Sequence, residues 1–182
     1  YMKKSIVVIT GSARKGGNSE LLAGAFAEGA HEAGHEVTVF ESVRKTIAGC
    51  TGCNTCFSTA HACSAKDDFD EIVPALENAD VLALCTPLYW FSFPAQVKAV
   101  IDKLYSFYVG KRPLKIAETA LLVCAGTDDM ADFDGLLKTY NLIVKYQGWK
   151  DRGIVIVPGV NERGDIQRTD GLARAKTLGH SL

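Results

Sequence analysis

Apolar positions along the chain follow two rhythms in turn. The run Lys4-Ser-Ile-Val-Val-Ile-Thr10 is short, β-branched and closed by Gly11, the pattern of a strand covered on both faces. From Asn18 to about Gly34, Leu21, Leu22, Ala25 and Phe26 share one face of a helix. Glu36 to Phe40 reads as a second strand. Phe69, Ile72, Val73 and Leu76 follow at i, i+3, i+4, i+7, a second helix in which Pro74 predicts a late start or a kink. Val81 to Cys85 is a third strand, and Pro94 suits the first turn of a helix carrying Val97, Val100, Ile101 and Leu104. A fourth strand, Ile116 to Cys124, precedes a helix marked by Phe133, Leu136, Leu137 and Tyr140. A fifth, Gly153 to Val157, precedes a last helix with Leu172, Ala175, Leu178 and Leu182 inward.

Five strands alternating with five helices predict an α/β fold, a parallel sheet with helices on both faces. The chain has 182 residues, enough for a single domain over 2–182, and shows no repeat, low-complexity tract or linker. Sheets of this kind bind ligands at the carboxyl ends of their strands, near the point where strand order reverses. That rule singles out three loops: 11–18, 86–93 and 125–130.

Composition narrows the class of partner. Hydrophobic residues make up 47%, charged residues 23%, and the net charge is −1, so no global field favours nucleic acid or a membrane surface. No apolar stretch approaches the ~20 residues of a membrane-spanning helix, and Ile6 to Ile9 is too short for a signal-peptide core of roughly 7–15. A cytoplasmic protein is therefore expected, with Tyr1 read as an addition ahead of Met2. Four of the six cysteines lie between Cys50 and Cys63, which is unlike an extracellular disulfide framework and suggests metal or redox chemistry.

The first loop, Gly11-Ser-Ala-Arg-Lys-Gly-Gly-Asn-Ser19, has the makings of an anion cradle. Its glycines let backbone N–H groups converge, Ser12, Asn18 and Ser19 add side-chain donors, Arg14 adds charge, and a helix N-terminus stands behind. A Walker loop is excluded because Gly16 is followed by Gly17-Asn18 rather than Lys-Ser/Thr, and no G-x-G-x-x-G dinucleotide fingerprint begins at Gly11. A plain glycine-rich turn capped by Asn18 is the bland alternative. In the second loop Pro87, Leu88, Tyr89, Trp90 and Phe91 offer flat faces and backbone polar groups of the kind an amphipathic heterocycle needs. Phe91 and Phe93 could equally pack against a neighbouring helix or subunit. Gly126 and Thr127, after the fourth strand, are candidates for closing the other side.

These motifs resemble the flavodoxin-like, NAD(P)H-dependent FMN reductases. Gly11-Ser12-x-Arg14-x-x-Gly17-Asn18-Ser19 is similar to that family's phosphate loop. Thr86-Pro-Leu-Tyr-Trp-Phe91, followed by Pro94-Ala-x-x-Lys98-x-x-Ile101-Asp102, is similar to its second flavin loop and helix. Gly164-Asp165-Ile166 with Ala175-x-x-Leu178-Gly179 is similar to its ending. The resemblance spans nearly the whole chain. It implies a three-layer sandwich with strand order 2-1-3-4-5, FMN with its phosphate on Ser12, Arg14, Asn18 and Ser19, NAD(P)H as co-substrate, and a homodimer with FMN near the interface. The stretch Tyr105 to Tyr108 is where that contact is expected.

Cys50-x2-Cys53-x2-Cys56-x6-Cys63 occupies a connection of some 25 residues, far longer than the usual ~2–6. Its x2 spacing resembles the ferredoxin run that ligates a [4Fe–4S] cluster, without the Cys-Pro that ends that run, and is similar to the motif of the iron–sulfur flavoproteins. Zinc, with His61 as a fourth ligand, a redox dithiol and ordinary thiols stay open. Cys85 and Cys124 end strands and are read as core residues. His31, His35 and His180 are read as solvated, and Asp67 and Asp68 as caps of the helix that follows. No acid–base machinery stands out, as suits a site where a cofactor carries the chemistry.

Three functions compete on this sequence. One is an NAD(P)H-dependent oxidoreductase passing electrons through FMN to a flavin, quinone or similar acceptor. The second is an iron–sulfur flavoprotein-type electron carrier, with a redox protein as its partner. The third is a flavodoxin-fold binding domain without turnover.

Overall fold

The computed structural model describes residues 2–182; Tyr1 lies outside them. Strands β1 (Ser5–Thr10), β2 (Glu36–Glu41), β3 (Val81–Pro87), β4 (Glu118–Cys124) and β5 (Lys150–Val157) form one parallel sheet in the order β2-β1-β3-β4-β5. Helices α1 (Asn18–Glu32), α2 (Phe69–Asn78), α3 (Ala95–Lys103), α4 (Tyr105–Val109), α5 (Asp134–Gln147) and α6 (Gly171–His180) connect or flank them. The flavodoxin-like sandwich expected from the sequence is the fold observed.

Side chains of a strand alternate between faces, so each strand feeds two cores. Ile6, Val8, Ala83, Cys85, Leu122 and Val155 face α1 and α6. Val7, Ile9, Leu82, Leu84, Leu121 and Val123 face the layer of α2, α3 and α5. Each fully buried aliphatic side chain contributes about 1.5–3 kcal/mol, which explains the apolar runs of the central strands β1, β3 and β4. On the first face, α1 and α6 touch backbone to backbone. A Cβ on Gly29 would lie 2.0 Å from the Lys176 carbonyl oxygen, and one on Gly179 2.0 Å from that of Phe26.

The amino edge of the sheet is closed by a charged knot. Glu118 binds Lys4 at 2.6 Å and Arg152 at 3.1 Å, while Lys4 also reaches the Leu182 carbonyl at 2.5 Å and Arg152 that of Ser181 at 2.6 Å. Burial works against ionisation of Glu118, but Lys4 and then Arg152 outweigh it and hold its carboxyl below the usual range.

Several local expectations are corrected. The helix around Pro74 starts at Phe69 without delay, with Pro74 in its sixth position; only the Asp70 carbonyl is denied an N–H partner there. Pro94 caps α3 rather than occupying its first turn. His35 is not solvated: it is 4% exposed and its Nδ1 accepts from the Lys4 N–H, while Nε2 is buried without a partner. Burial, then the charge of Lys4, lowers its pKa. Asp68 stands at the cap of α2 without using its side chain on the helix, whereas Asp67 Oδ1 does accept from the Phe69 N–H at 3.1 Å. No helix among the described residues is long and apolar enough to cross a membrane.

Candidate functional site

At the carboxyl edge, Gly11 ends β1 and donates its N–H to the Cys85 carbonyl at 3.1 Å. A Cβ there would stand 2.6 Å from Val97 Cγ2 and 2.8 Å from Thr86 Oγ1, so only glycine lets the loop leave the sheet so close to α3. The chain then wraps to Gly17, the cap of α1, where no side chain satisfies the helix end. The N–H groups of Ser12, Ala13, Asn18 and Ser19 find no backbone acceptor, which is the donor arrangement an anion at a helix N-terminus requires. Glu20 folds back to accept the Gly16 N–H at 2.7 Å and keeps its charge on the far side of the loop.

Beside this loop lies a cavity of about 190 Å³ at the point where strand order reverses between β1 and β3. Of the residues expected there, Ser12, Arg14, Asn18, Ser19, Pro87, Leu88, Tyr89 and Gly126 line it. Cys124 and Ala125 form its floor. Burial pushes the Cys124 thiol up to about 12 and Cys85 well above its ordinary value, so neither presents a negative charge to a bound anion. The Leu88 N–H is fixed on the Cys124 carbonyl at 2.9 Å, which ties the second loop to the fourth strand.

Three expected residues lie outside the cavity lining. Trp90 and Phe91 adopt left-handed backbone conformations, with φ of 45° and 62°. They sit between Tyr89 and Ser92, whose N–H and carbonyl groups pair reciprocally at 3.1 and 3.0 Å. That tight turn throws Trp90 outward, 92% exposed, with Phe91 half-exposed beside it. Left-handed φ is costly for a bulky residue, about 1–2 kcal/mol, and such strain concentrates at functional loops. Thr127 is spent on its own loop, donating to Asp132 at 2.7 Å and accepting from the Asp129 N–H.

The sequence missed the segment after β5. Val160 and Asn161 line the cavity, and residues 160–166 strap the phosphate loop from the side. Asn18 is the centre of the strap. Its amide donates to the Val160 and Glu162 carbonyls at 3.2 and 2.9 Å and accepts from the Gly164 and Ile166 N–H groups at 3.2 Å each. Expected as a phosphate donor, the Asn18 side chain is instead committed to holding two loops together, leaving its backbone N–H for a ligand. Arg14 donates to the Asn161 carbonyl at 3.1 Å, and Arg163 donates to that of Lys15. The run Gly159-Val-Asn-Glu-Arg-Gly164, a turn-rich stretch at a strand's carboxyl end, was the available signal.

The cysteine loop is a second candidate. Cys50 and Cys53 are exposed, Cys56 and Cys63 partly so, and Asn54 and Phe57 join Gly52 in left-handed backbone conformations. Burial, then the charges of Cys63 and Cys53, raise the Cys56 pKa. Hydrogen bonds from Thr55, then Ser64 and Thr51, draw Cys53 down to about 6. Among the described residues no three His, Cys, Asp or Glu side chains converge on one metal ion, and His61 is paired with Asp70 at 2.7 Å; a zinc site using His61 does not fit. Four cysteine thiols on one loop are, in their chemistry, the donor set of an iron–sulfur cluster.

A groove of about 820 Å³ opens elsewhere, between α4, α5 and the segment leading into β4. Tyr105 and Tyr108 stack along it at 5.8 Å, and Leu142, Tyr146 and Trp149 continue its apolar wall. It is the larger hollow but lies off the strands' carboxyl ends, so the smaller polar cavity is the one placed for a phosphate-bearing ligand.

Fold and cavity together define a flavodoxin-like protein with a polar cavity at its switch point. A model of the NADPH-dependent FMN reductase family matches residues 4–137, and the chain belongs to that family. It is 31% identical over 180 residues to an iron–sulfur flavoprotein of Archaeoglobus fulgidus, spanning 97% of this chain and 77% of that one. An iron–sulfur flavoprotein of Methanosarcina thermophila is 40% identical over 99 residues, covering 54% of this chain and 51% of the relative. Among solved structures, an NAD(P)H:quinone oxidoreductase from Methanothermobacter marburgensis superimposes with a TM-score of 0.77 at 23% identity, over 99% of this chain and 96% of its own.

Proposed function

We propose that residues 2–182 act as one flavin-binding domain, an FMN-dependent oxidoreductase that takes electrons from NAD(P)H and delivers them to a flavin, a quinone or a similar acceptor. The observation that carries this is the backbone-built anion cradle opening into a polar cavity at the strand-order reversal. FMN bound there supplies a flat ring able to accept a hydride and release electrons. The cavity is smaller than the roughly 300–1,000 Å³ that encloses a drug-sized ligand. It therefore suits the phosphate and the ribityl chain, leaving the ring against Tyr89 and open to a second flat molecule.

In this reading the N–H groups of Ser12, Ala13, Asn18 and Ser19 receive phosphate oxygens. The guanidinium of Arg14 adds a charge-assisted bond of roughly 1.5–3 kcal/mol. The Cys124 thiol of the floor stays protonated. Trp90 and Phe91 stand at the mouth, where they can flank the ring or the incoming acceptor. A homodimer through the Tyr105–Tyr108 face fits the apolar groove there.

Heat-released ligand run against flavin standards, followed by anaerobic mixing with NADH and NADPH, tests the proposal. FMN in the supernatant and rapid bleaching by either nucleotide are expected. FAD, or no flavin after reconstitution, would sink it.

The four-cysteine loop and the iron–sulfur relatives favour a second reading, in which Cys50, Cys53, Cys56 and Cys63 hold a [4Fe–4S] cluster and the chain carries electrons between proteins. Iron and acid-labile sulfide at about four each per anaerobic chain, with sluggish bleaching by either nucleotide, would select it.

A further inference from the structure

We infer that the buried ion pair of Lys103 and Asp67 is the positioning element of the four-cysteine loop, and that it governs how well the loop keeps an iron–sulfur cluster. This rests on the iron–sulfur reading of Cys50 to Cys63. Lys103, the last residue of α3, is 2% exposed, and a lysine is almost never so buried unless paired. Its Nζ meets Asp67 Oδ2 at 2.5 Å and lies 5.7 Å from the centre of the Phe69 ring.

Asp67 is a junction of three segments. Oδ2 accepts the Ala48 N–H at 2.8 Å as well as Lys103, and Oδ1 accepts the Phe69 N–H at 3.1 Å. Beside it, Thr46 and Asp68 exchange two bonds: the Thr46 N–H to Asp68 Oδ2 at 2.7 Å, and the Asp68 N–H to the Thr46 carbonyl at 3.2 Å. The loop's mouth is thus cross-tied two residues before Cys50 and four after Cys63, and Lys103 nails it to α3. Beyond the mouth the loop is held by side chains, and Ala62 is buried in the core. Phe57 packs on Phe107 at 5.7 Å and under Arg112 at 4.7 Å, Tyr105 reaches Asn54 at 3.2 Å, and Asp70 holds His61 and the Ala62 N–H.

A purely structural role for the pair is the competing account. A buried pair is often matched or bettered by well-packed apolar residues, so stability alone is a weak reason to have one. An apolar pair would fill the volume but could not hold the Ala48 N–H. An amide at 67 has one acceptor oxygen, enough to cap α2 or to tie the mouth, but not both. Groups that orient metal ligands from behind typically change metal retention roughly 10- to 100-fold when removed.

The test uses the full chain, reconstituted anaerobically with FMN, iron and sulfide. Lys103→Met should leave FMN affinity unchanged while a chelator strips iron about 10- to 100-fold faster than from the unaltered chain. Because that variant leaves a buried carboxylate unpaired, Asp67→Asn/Lys103→Met provides the second arm. It should regain the lost thermal stability yet still shed iron fast. Unaltered stripping rates in Lys103→Met, or recovery of both stability and iron retention in the double variant, overturn the inference. An unaltered chain that binds FMN but takes up no iron overturns the iron–sulfur reading itself, and the inference with it.

Discussion

The phosphate loop and the cysteine loop follow neighbouring strands of the same sheet and are built on opposite terms. Backbone makes the first. Gly11 lets it turn, α1 follows it, and the 160–166 strap holds it, so its unpaired N–H groups belong to a braced stretch of backbone. Side chains make the second, on a stretch without regular structure that is cross-tied at its mouth and held by side-chain contacts beyond it. A backbone site is bound to the fold, and damaging it damages both. A side-chain site can be emptied while the fold stands.

That contrast orders the expected effects. Cys53→Ser should be the cleanest break: iron should fall from about four per chain to near zero in anaerobic preparations, with FMN content untouched. Loss of FMN together with the iron would mean that the two loops are not independent. Gly11→Val should do the reverse of a clean break. With Val97 and Thr86 already within 2.8 Å of its Cβ, overpacking of typically 1–3 kcal/mol should lower the melting temperature while flavin binding collapses. A stable Gly11→Val protein with full flavin occupancy would show that the cradle lies elsewhere.

Arg14→Ala removes charge without touching the turn. Its Kd for FMN, followed by flavin fluorescence, should rise roughly 10- to 150-fold, with the melting temperature of the flavin-free protein little changed. The smallest effect belongs to His35, which lies at the other end of the sheet and serves as a control. Its folded pKa is lowered, so the unfolded chain binds its proton more readily. Stability is then complete above the ordinary value of 6.5 and declines as pH falls below it. His35→Asn, which can still accept from the Lys4 N–H, should flatten that acid limb, a slope of at most about 1.4 kcal/mol per pH unit, in denaturant titrations between mildly acidic and neutral pH. An unchanged limb would assign the acid sensitivity to other groups.

Much of this was legible in the sequence because the signals were local. Apolar runs ending at Gly11 and Thr86 marked strands, and their alternation with helical stripes marked the layers. Glycines with Ser12 and Arg14 marked the anion loop, and the cysteine spacing announced itself. What escaped depended on partners far along the chain. Asn18 looked like a ligand because its bonds to residues more than 140 positions away leave no local trace. The aromatic type of Trp90 and Phe91 was visible in the sequence; the left-handed turn that carries them outside the cavity lining was not. Lys103 occupied a polar position of an amphipathic helix, the pattern of an exposed residue, and only Asp67 explains its burial. His35 was misread for the same reason.

The contact of α1 with α6 sets a boundary on how this chain can drift over generations. At most packed positions an enlarged side chain can be answered by a smaller one opposite, so two substitutions can pass where one could not. At Gly29 and Gly179 the obstacles are the carbonyls of Lys176 and Phe26, which every amino acid carries. No second mutation can trim a carbonyl. The two positions are therefore evolutionary dead ends rather than negotiable partners, and the helix that presents the phosphate loop is kept in place by a contact with no compensating route around it.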